Sequence, residues 1–189
     1  MTVIAVVITI GPGHSLAPAG QENVAHVGPG YENNQQSQKT LTFTIPQGWV
    51  RDGESAKKFG VHTVLVPSGM KFENADKVIT IAFQRQDSKK PGPENLKNFV
   101  TADLQDTLAQ FPDAQFAKWQ PSKLDPDKLG FWSLEIYGKE RNNPLPQRFL
   151  ILDAGDGFFS VSLTTKSRDE LKLSIYEDFF NSLGLAPHN

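Results

Sequence analysis

Gln147-Arg-Phe-Leu-Ile-Leu-Asp153 and Phe158-Phe-Ser-Val-Ser-Leu-Thr-Thr165 are two short runs with β-strand composition, and Ala154-Gly-Asp-Gly157 separates them. Short apolar runs around a Gly/Asp cluster predict a β-hairpin. Along the first run, leucines on one face alternate with Phe149 and Ile151 on the other. A strand with two apolar faces needs cover on both sides. We therefore expect it in the centre of a sheet, with helices above and below.

The hairpin is followed by a segment with helical signals at both ends. Ser167-Arg-Asp-Glu170 forms a capping box, in which the Ser hydroxyl and the Glu carboxylate can each accept a hydrogen bond from an unpaired amide. Apolar residues then recur at helical spacing, and Gly184 follows them as a candidate C-cap. The pattern predicts a helix over residues 168–183. The stripe consists of Leu171, Ile175, Phe179 and Leu183.

Alternating apolar runs upstream predict strands at residues 41–45, 61–67, 77–84, 114–119 and 131–137. Between the third and fourth runs, apolar residues from Glu94 to Phe111 recur every three or four positions, which predicts an amphipathic helix. Because short loops join consecutive strands, antiparallel pairing is favoured. The expected class is α+β, an α/β/α sandwich with a central antiparallel sheet of six to seven strands and two main helices.

Composition restricts the function classes. The 189 residues suit one well-packed domain, and 38% hydrophobic with 21% charged residues is typical of a globular protein. A formal net charge of −2 argues against a nucleic-acid partner, because neutralising phosphates requires a basic surface. No apolar run approaches the roughly 20 residues of a membrane span. The absence of cysteine excludes disulfides, thiol catalysis and thiolate metal sites.

The N-terminal region predicts export. An apolar run from Val3 to Ile10 precedes Gly/Pro breakers and Ala17-Pro-Ala19, which is the pattern of a secretory signal, although no Lys or Arg precedes the run. The alternative is a buried strand in a cytoplasmic protein. Residues 20–39 are polar and lack a period, which favours a linker. The expected division is a signal peptide at 1–19, a flexible linker at 20–39 and a single domain at 40–189, with the protein periplasmic or secreted.

Histidine placement argues against metal and triad chemistry. Three of the four histidines lie in the expected signal, linker and C-terminal tail, which leaves His62 alone in the folded domain. A zinc site built from several histidines is therefore excluded there by number. No Gly-x-Ser-x-Gly motif accompanies His62 to indicate a nucleophilic serine. On the expected strand His62 is in phase with Val64 and Val66, which favours a core or edge histidine.

Carboxylate pairs offer little more chemistry. Asp125 with Asp127, and Asp153 with Asp156, are the candidate pairs, and both lie in turns rich in Pro or Gly. Asp is common in such turns because its side chain accepts hydrogen bonds from nearby amides. No phosphate-binding loop, dinucleotide fingerprint or complete calcium loop is present. We therefore expect no catalytic residues, no cofactor and no metal.

Aromatic and arginine side chains are the candidates for recognition, because these types dominate binding energies at protein interfaces. The alternative for the tryptophans is that they seal the ends of the sheet. We retain five expected binding residues: Trp49, His62, Trp119, Tyr137 and Arg148.

Three motifs resemble the Mog1/PsbP superfamily: Phe43-Thr-Ile-Pro-Gln-Gly-Trp49, Glu94-Asn-Leu-Lys-Asn-Phe99 and Phe158-Phe-Ser-Val-Ser-Leu163. The last leads, as in the family, into a final helix that ends Phe179-Phe-Asn-Ser-Leu183. The resemblance covers roughly residues 40–185 and implies an α/β/α sandwich around an antiparallel sheet. Its members include a small-GTPase-binding protein, extrinsic photosystem subunits and bacterial secreted proteins, so it implies no catalytic residues.

The sequence thus favours a non-enzymatic, exported accessory protein that binds another protein. A second hypothesis is a small-ligand or metal binder that uses the sheet end near His62, Asp153 and Asp156. A carboxylate-based hydrolase is the residual alternative. The residues do not identify the partner or the oligomeric state.

Overall fold

A computed structural model describes residues 24–27, 39–85, 115–116, 120–121, 132–137 and 145–187, together with the single residues 105 and 109. The strands, in chain order, are β1 (Val24–Val27), β2 (Lys39–Thr44), β3 (Trp49–Arg51), β4 (Thr63–Pro67), β5 (Val78–Arg85), β6 (Gln115–Phe116), β7 (Gln120–Pro121), β8 (Trp132–Tyr137), β9 (Gln147–Asp153), β10 (Gly157–Thr164) and β11 (Gly184–Pro187). The helices are α1 (Gly53–Phe59) and α2 (Ser174–Ser182), with 3₁₀ turns at Phe72–Asn74 and Glu170–Lys172.

The main sheet is antiparallel and has the order β3-β4-β5-β10-β9-β8-β6, with β7 also paired to β8. The expected hairpin is confirmed as β9 and β10, and its turn places Gly155 at a φ of 91° that glycine adopts without strain. Strand β9 lies between β10 and β8, as its two apolar faces predicted. The described residues give this sheet eight strands rather than six to seven, because two two-residue strands pair with β8.

A smaller sheet of order β1-β2-β11 joins the beginning and the end of the described chain. Its strand β1, Val24–Val27, lies inside the segment 20–39 that the sequence predicts to be a flexible linker. Gly184 does not cap a helix. It begins β11, which pairs with β2, and a Cβ there would lie 3.1 Å from Oγ1 of Thr42.

One face of the main sheet forms the larger core with α2 and strand β2. Its largest fully buried side chains include Phe43, Phe159, Phe179 and Tyr176. The rings of Phe43 and Phe179 meet edge to face, with centroids 5.9 Å apart. Each fully buried Leu or Phe stabilises the fold by roughly 1.5–3 kcal/mol. This core therefore attaches α2 to the sheet.

The opposite face packs against α1 and the Phe72–Asn74 turn. Its cluster contains Ala56, Val61, Val64, Val66, Phe72, Ala75 and Val78. Helix α1 begins at Asp52, whose carboxylate accepts a hydrogen bond from the Ser55 amide, and ends at Gly60 with a left-handed φ of 65°. Helices on both faces of an antiparallel sheet confirm the α/β/α sandwich.

The last helix differs from its prediction. Leu173 has extended backbone and separates the Glu170–Lys172 turn from α2, so the single helix expected over residues 168–183 is interrupted. Ser167 Oγ accepts a hydrogen bond from the Glu170 amide at 3.4 Å, as the capping box predicted, but this bond lies at the start of the 3₁₀ turn. The α-helix begins later, at Ser174, without a side-chain cap.

The helix expected from Glu94 to Phe111 lies outside the described residues, except that Gln105 and Ala109 are helical and exposed. Within the described ranges, neither helix has the length and apolar composition needed to cross a bilayer.

Candidate binding surface

Trp49 is partly buried and packs against the larger core. Its ring meets that of Tyr176 edge to face, with centroids 5.9 Å apart, so it joins the edge strand β3 to α2. Burial, with added repulsion from Glu170 and Asp76, raises the pKa of the Tyr176 phenol. Trp49 thus packs against a neutral ring and corresponds to the sheet-sealing alternative.

Arg148 also contacts α2. Its guanidinium donates to both carboxylate oxygens of Glu177 and lies over the Phe180 ring, 4.6 Å from the centroid. Only 19% of the Arg148 side chain is exposed. A forked ion pair with a stacked ring uses most of what a guanidinium can offer to a partner. Arg148 therefore holds the helix on the sheet.

His62 lies just before β4, at the opposite end of that strand from Trp49. Its ring meets Phe83 and Phe159 edge to face, with centroids 6.0 and 6.1 Å away. Burial lowers its pKa. These two rings belong to the larger core. The expected alignment with Val64 and Val66, which face the smaller core, is therefore wrong, because the strand starts only at Thr63.

Trp119 and the side chain of Tyr137 lie outside the described residues, and the Tyr137 backbone pairs with Gln115 at the end of β8. Of the other three expected binding residues, the structure brings Trp49 and Arg148 to α2 and places His62 at another end of the sheet. Among the described residues, the expected binding residues therefore do not form one patch. Trp49 and Arg148 contact α2, and His62 is a partly buried histidine elsewhere on the sheet.

The end of the sheet near His62 contains the Asp153 turn. Oδ1 of Asp153 accepts from the Gly155 amide at 2.7 Å, and the Ala154 amide donates to Gly157 at 2.8 Å. This is the local role expected of Asp in a turn. No group of three or more potential metal-binding side chains occurs within the part of the chain that the structure describes.

A recess on the α1 side of the sheet was not expected from the sequence. We call it the β3 groove, and it has a volume of about 370 Å³. Its residues are Val50, Arg51, Asp52, Gly53, Glu54, Ser55, Lys58, Val66, Met70, Lys71 and Glu73. The apolar members are Val50, Val66 and Met70. Val50 is 41% exposed and is one of two large apolar side chains, with Leu173, that are exposed among the described residues.

Asp52 fixes the shape of the groove by joining three segments. Oδ1 accepts from the Ser55 amide at 2.9 Å, while Oδ2 accepts from Ser55 Oγ at 2.8 Å and from the Phe72 amide at 3.2 Å. Burial opposes ionisation, but these bonds and nearby Lys71 outweigh it and lower the Asp52 pKa. The bonds hold α1 and the Phe72 turn beside β3.

Charged side chains also line the groove. Lys58 and Glu73 form an ion pair at 3.4 Å, with 63% and 54% of their side chains exposed. Such an exposed pair contributes little to stability, so both groups can rearrange around a ligand at small cost. Protein-binding surfaces also combine apolar residues with polar and charged ones. The sequence feature that could have indicated this groove is Asp52 three residues before Ser55, which is an N-cap pattern.

Comparison with known proteins identifies the fold. No family model matches the sequence, and the comparison with curated proteins gives no significant match. Among solved structures, cyanobacterial PsbP (CyanoP) from Synechocystis sp. PCC 6803 superposes with a TM-score of 0.54 at 16% identity, over 93% of this chain and 99% of that one.

LpqN, a protein involved in cell envelope biogenesis of Mycobacterium tuberculosis, superposes with a TM-score of 0.56 at 12% identity, over 87% of this chain and 91% of that one. At these identities the similarity concerns the fold. The chain therefore has the PsbP-like fold, and its resemblance to the Mog1/PsbP superfamily is confirmed at that level.

Proposed function

We propose that the protein is a non-enzymatic, exported accessory protein, and that it binds another protein through the β3 groove. The observation that carries this proposal is the mixed lining of the groove, in which Val50 is 41% exposed and charged side chains line the same recess. Exposed apolar surface bordered by polar residues marks interaction sites in soluble proteins.

The groove also suits binding better than acid–base catalysis. Its most buried acid, Asp52, already accepts three hydrogen bonds, and its lowered pKa keeps it ionised near neutral pH. A general base is most effective when its pKa lies near the working pH. Asp52 is therefore better suited to holding the groove together than to transferring protons.

Export is the second part of the proposal, with residues 1–19 as the signal. It is supported by the N-terminal apolar run and by the shared fold with LpqN, whose role concerns the cell envelope. Intact-mass analysis of the native protein tests it. We expect the mass of a chain that begins near residue 20. A native chain that retains Met1 would contradict export.

Substitution at the groove provides the main test. The full chain, its Val50→Asp variant and its Leu173→Asp variant are used as baits in the envelope fraction of the native organism. Leu173 is the matched control because it is also a large exposed apolar residue, at 46%, and does not line the groove. We expect a stoichiometric partner with the parent and Leu173→Asp, and its loss with Val50→Asp.

Each outcome of the capture experiment is decisive. Equal capture by all three baits would exclude the β3 groove, and no stoichiometric partner for the parent would contradict the protein-binding function.

A groove of about 370 Å³ also has the size of a small-molecule site, which favours small-ligand binding as the second candidate. Calorimetry with metabolites and divalent cations then separates the two candidates, and a chromogenic substrate panel tests the hydrolase alternative.

A further inference from the structure

Strand β2 is held in place by contacts that do not involve β1, its neighbour on the side opposite β11. Leu41 and Phe43 point into the larger core and are 0% and 1% exposed. On the inner side, β2 pairs with β11, and Oγ1 of Thr42 donates to the Gly184 carbonyl at 3.3 Å. Removing the outer neighbour β1 would therefore leave β2 in place with one free edge.

The hydrogen-bonding direction of each β2 residue follows from one contact. The Thr44 amide donates to Ser182 Oγ at 2.9 Å, on the β11 side. Because backbone groups alternate in direction along an antiparallel strand, those of Thr42 also face β11, and those of Leu41 and Phe43 face β1. The register then makes Val27–Leu41 and Ala25–Phe43 the hydrogen-bonded pairs of β1 and β2.

Strand β1 is attached by a small contact and a long connection. It has four residues, lies at the edge of its sheet and offers only those two hydrogen-bonded pairs. Eleven residues, 28–38, separate it from β2. Hairpin loops are usually two to five residues long. A strand joined by a connection of this length competes with other strands as a tethered segment.

We propose that β1 is a displaceable strand, and that the Leu41–Phe43 edge of β2 beneath it binds an extended segment of a partner protein in antiparallel orientation. Recognition by strand addition uses backbone hydrogen bonds for affinity. The paired β1, Val-Ala-His-Val, is an example of what this edge accepts: a four-residue antiparallel strand without proline. This surface is separate from the β3 groove, so the inference goes beyond the proposed function.

A disulfide lock tests the displacement. Val24 and Thr44 are directly opposite each other in a pair without backbone hydrogen bonds, the arrangement in which side chains approach most closely. The chain contains no cysteine, so the Val24→Cys, Thr44→Cys variant has one possible disulfide within a single chain. The probe is a fluorescein-labelled peptide with the sequence of residues 22–28. We expect it to bind the reduced variant and not the oxidised one.

A proline pair provides the matched control. Ala25→Pro removes the amide that faces Phe43, whereas the His26 amide faces away from β2, so His26→Pro leaves the hydrogen bonds intact. Since the tethered strand competes at millimolar effective concentration, Ala25→Pro should raise peptide affinity roughly tenfold over His26→Pro. Bound peptide should shift the Leu41 and Phe43 amide resonances more than that of Thr42.

Three results would overturn the inference. They are equal peptide binding by the oxidised and reduced lock, no binding to Ala25→Pro at millimolar peptide, and a covalent dimer on oxidation, which would place a second copy on this edge. The groove is tested separately, because partner capture by the oxidised lock that remains sensitive to Val50→Asp would support the proposed function even if strand displacement fails.

Discussion

Arg148 on β9 and Glu177 on α2 form a two-pronged ion pair, and the Arg148 guanidinium also lies over the ring of Phe180, 4.6 Å from its centroid. One side chain thereby joins the sheet to the helix through charge, hydrogen bonds and ring contact. Exposure differs between the partners, at 19% for Arg148 and 46% for Glu177. The arginine is therefore the partner whose loss costs more.

Arg148→Ala should lower the free energy of unfolding by about 1–2 kcal/mol, since it removes two hydrogen bonds to a charged group that stays half in water. Urea denaturation followed by tryptophan fluorescence measures the change. Arg148→Lys is the control, because it keeps the charge and loses the forked geometry. We expect an intermediate value for lysine, and a stability equal to the parent for Arg148→Ala would contradict the role assigned to this residue.

His62 should make stability depend on pH. Its folded pKa lies below the ordinary value of 6.5 because burial disfavours the charged ring. Below pH 6.5 the unfolded chain therefore takes up the proton more readily than the folded protein, and the stability falls as the pH decreases toward the folded pKa. The urea midpoint of the parent should therefore decrease as the pH is lowered from 6.5 toward the folded pKa.

His62→Phe is the matching variant, since a phenyl ring can pack against Phe83 and Phe159 and cannot be protonated. We expect the two proteins to differ in the slope of stability against pH between about pH 8 and about pH 5. Parallel slopes would show that His62 has the same pKa in the folded and unfolded chains.

Elements defined by local signals were predictable from the sequence. The β9–β10 hairpin was expected because the residues that form its turn, including Asp153 and Gly155, lie within four residues of the strands that they connect. Helix α1 was missed because seven residues in a polar segment give too short an apolar pattern to detect. Strand β1 was missed because four residues between polar and glycine-rich segments do not show an alternation.

Contacts between distant residues were beyond sequence reasoning. Arg148 was an expected binding residue because arginine often recognises partners, but Glu177 lies 29 positions away and only the folded chain shows that it holds this guanidinium. The β3 groove likewise depends on Asp52 reaching the Phe72 amide, 20 positions away. Residue type indicated which side chains can bind, and the fold determined which are already used.

Asp52→Ala should destabilise the protein by about 1–2 kcal/mol through loss of the α1 cap. The effect should depend on pH. Since the folded pKa of Asp52 lies below 3.8, its contribution is present above pH 3.8 and is lost as the pH falls through the folded pKa. Urea titrations at neutral and acidic pH measure both quantities.

Glu54→Ala is the control for the Asp52 prediction, because Glu54 is an exposed acid in the same helix and does not cap it. Its loss should change stability by less than about 0.5 kcal/mol. Two variants with equal effects would mean that the first-turn charge, and not the cap, stabilises α1.

Gly157→Ala and Gly53→Ala should have opposite effects, although each adds a single methyl group. A Cβ at Gly157 would overlap the Phe83 ring and lie 2.5 Å from the Gln84 carbonyl oxygen in the neighbouring strand β5. Backbone cannot move there without disturbing the pairing of β10 with β5. We expect a loss of roughly 2–3 kcal/mol.

Gly53 begins α1, and a Cβ there meets no atom within 4 Å. Alanine in place of glycine restricts the unfolded chain and favours the helix, so Gly53→Ala should raise stability by up to about 1 kcal/mol. Thermal and urea unfolding of both variants give the comparison. If Gly157→Ala were as stable as the parent, β10 and β5 could not approach each other as closely as the structure shows.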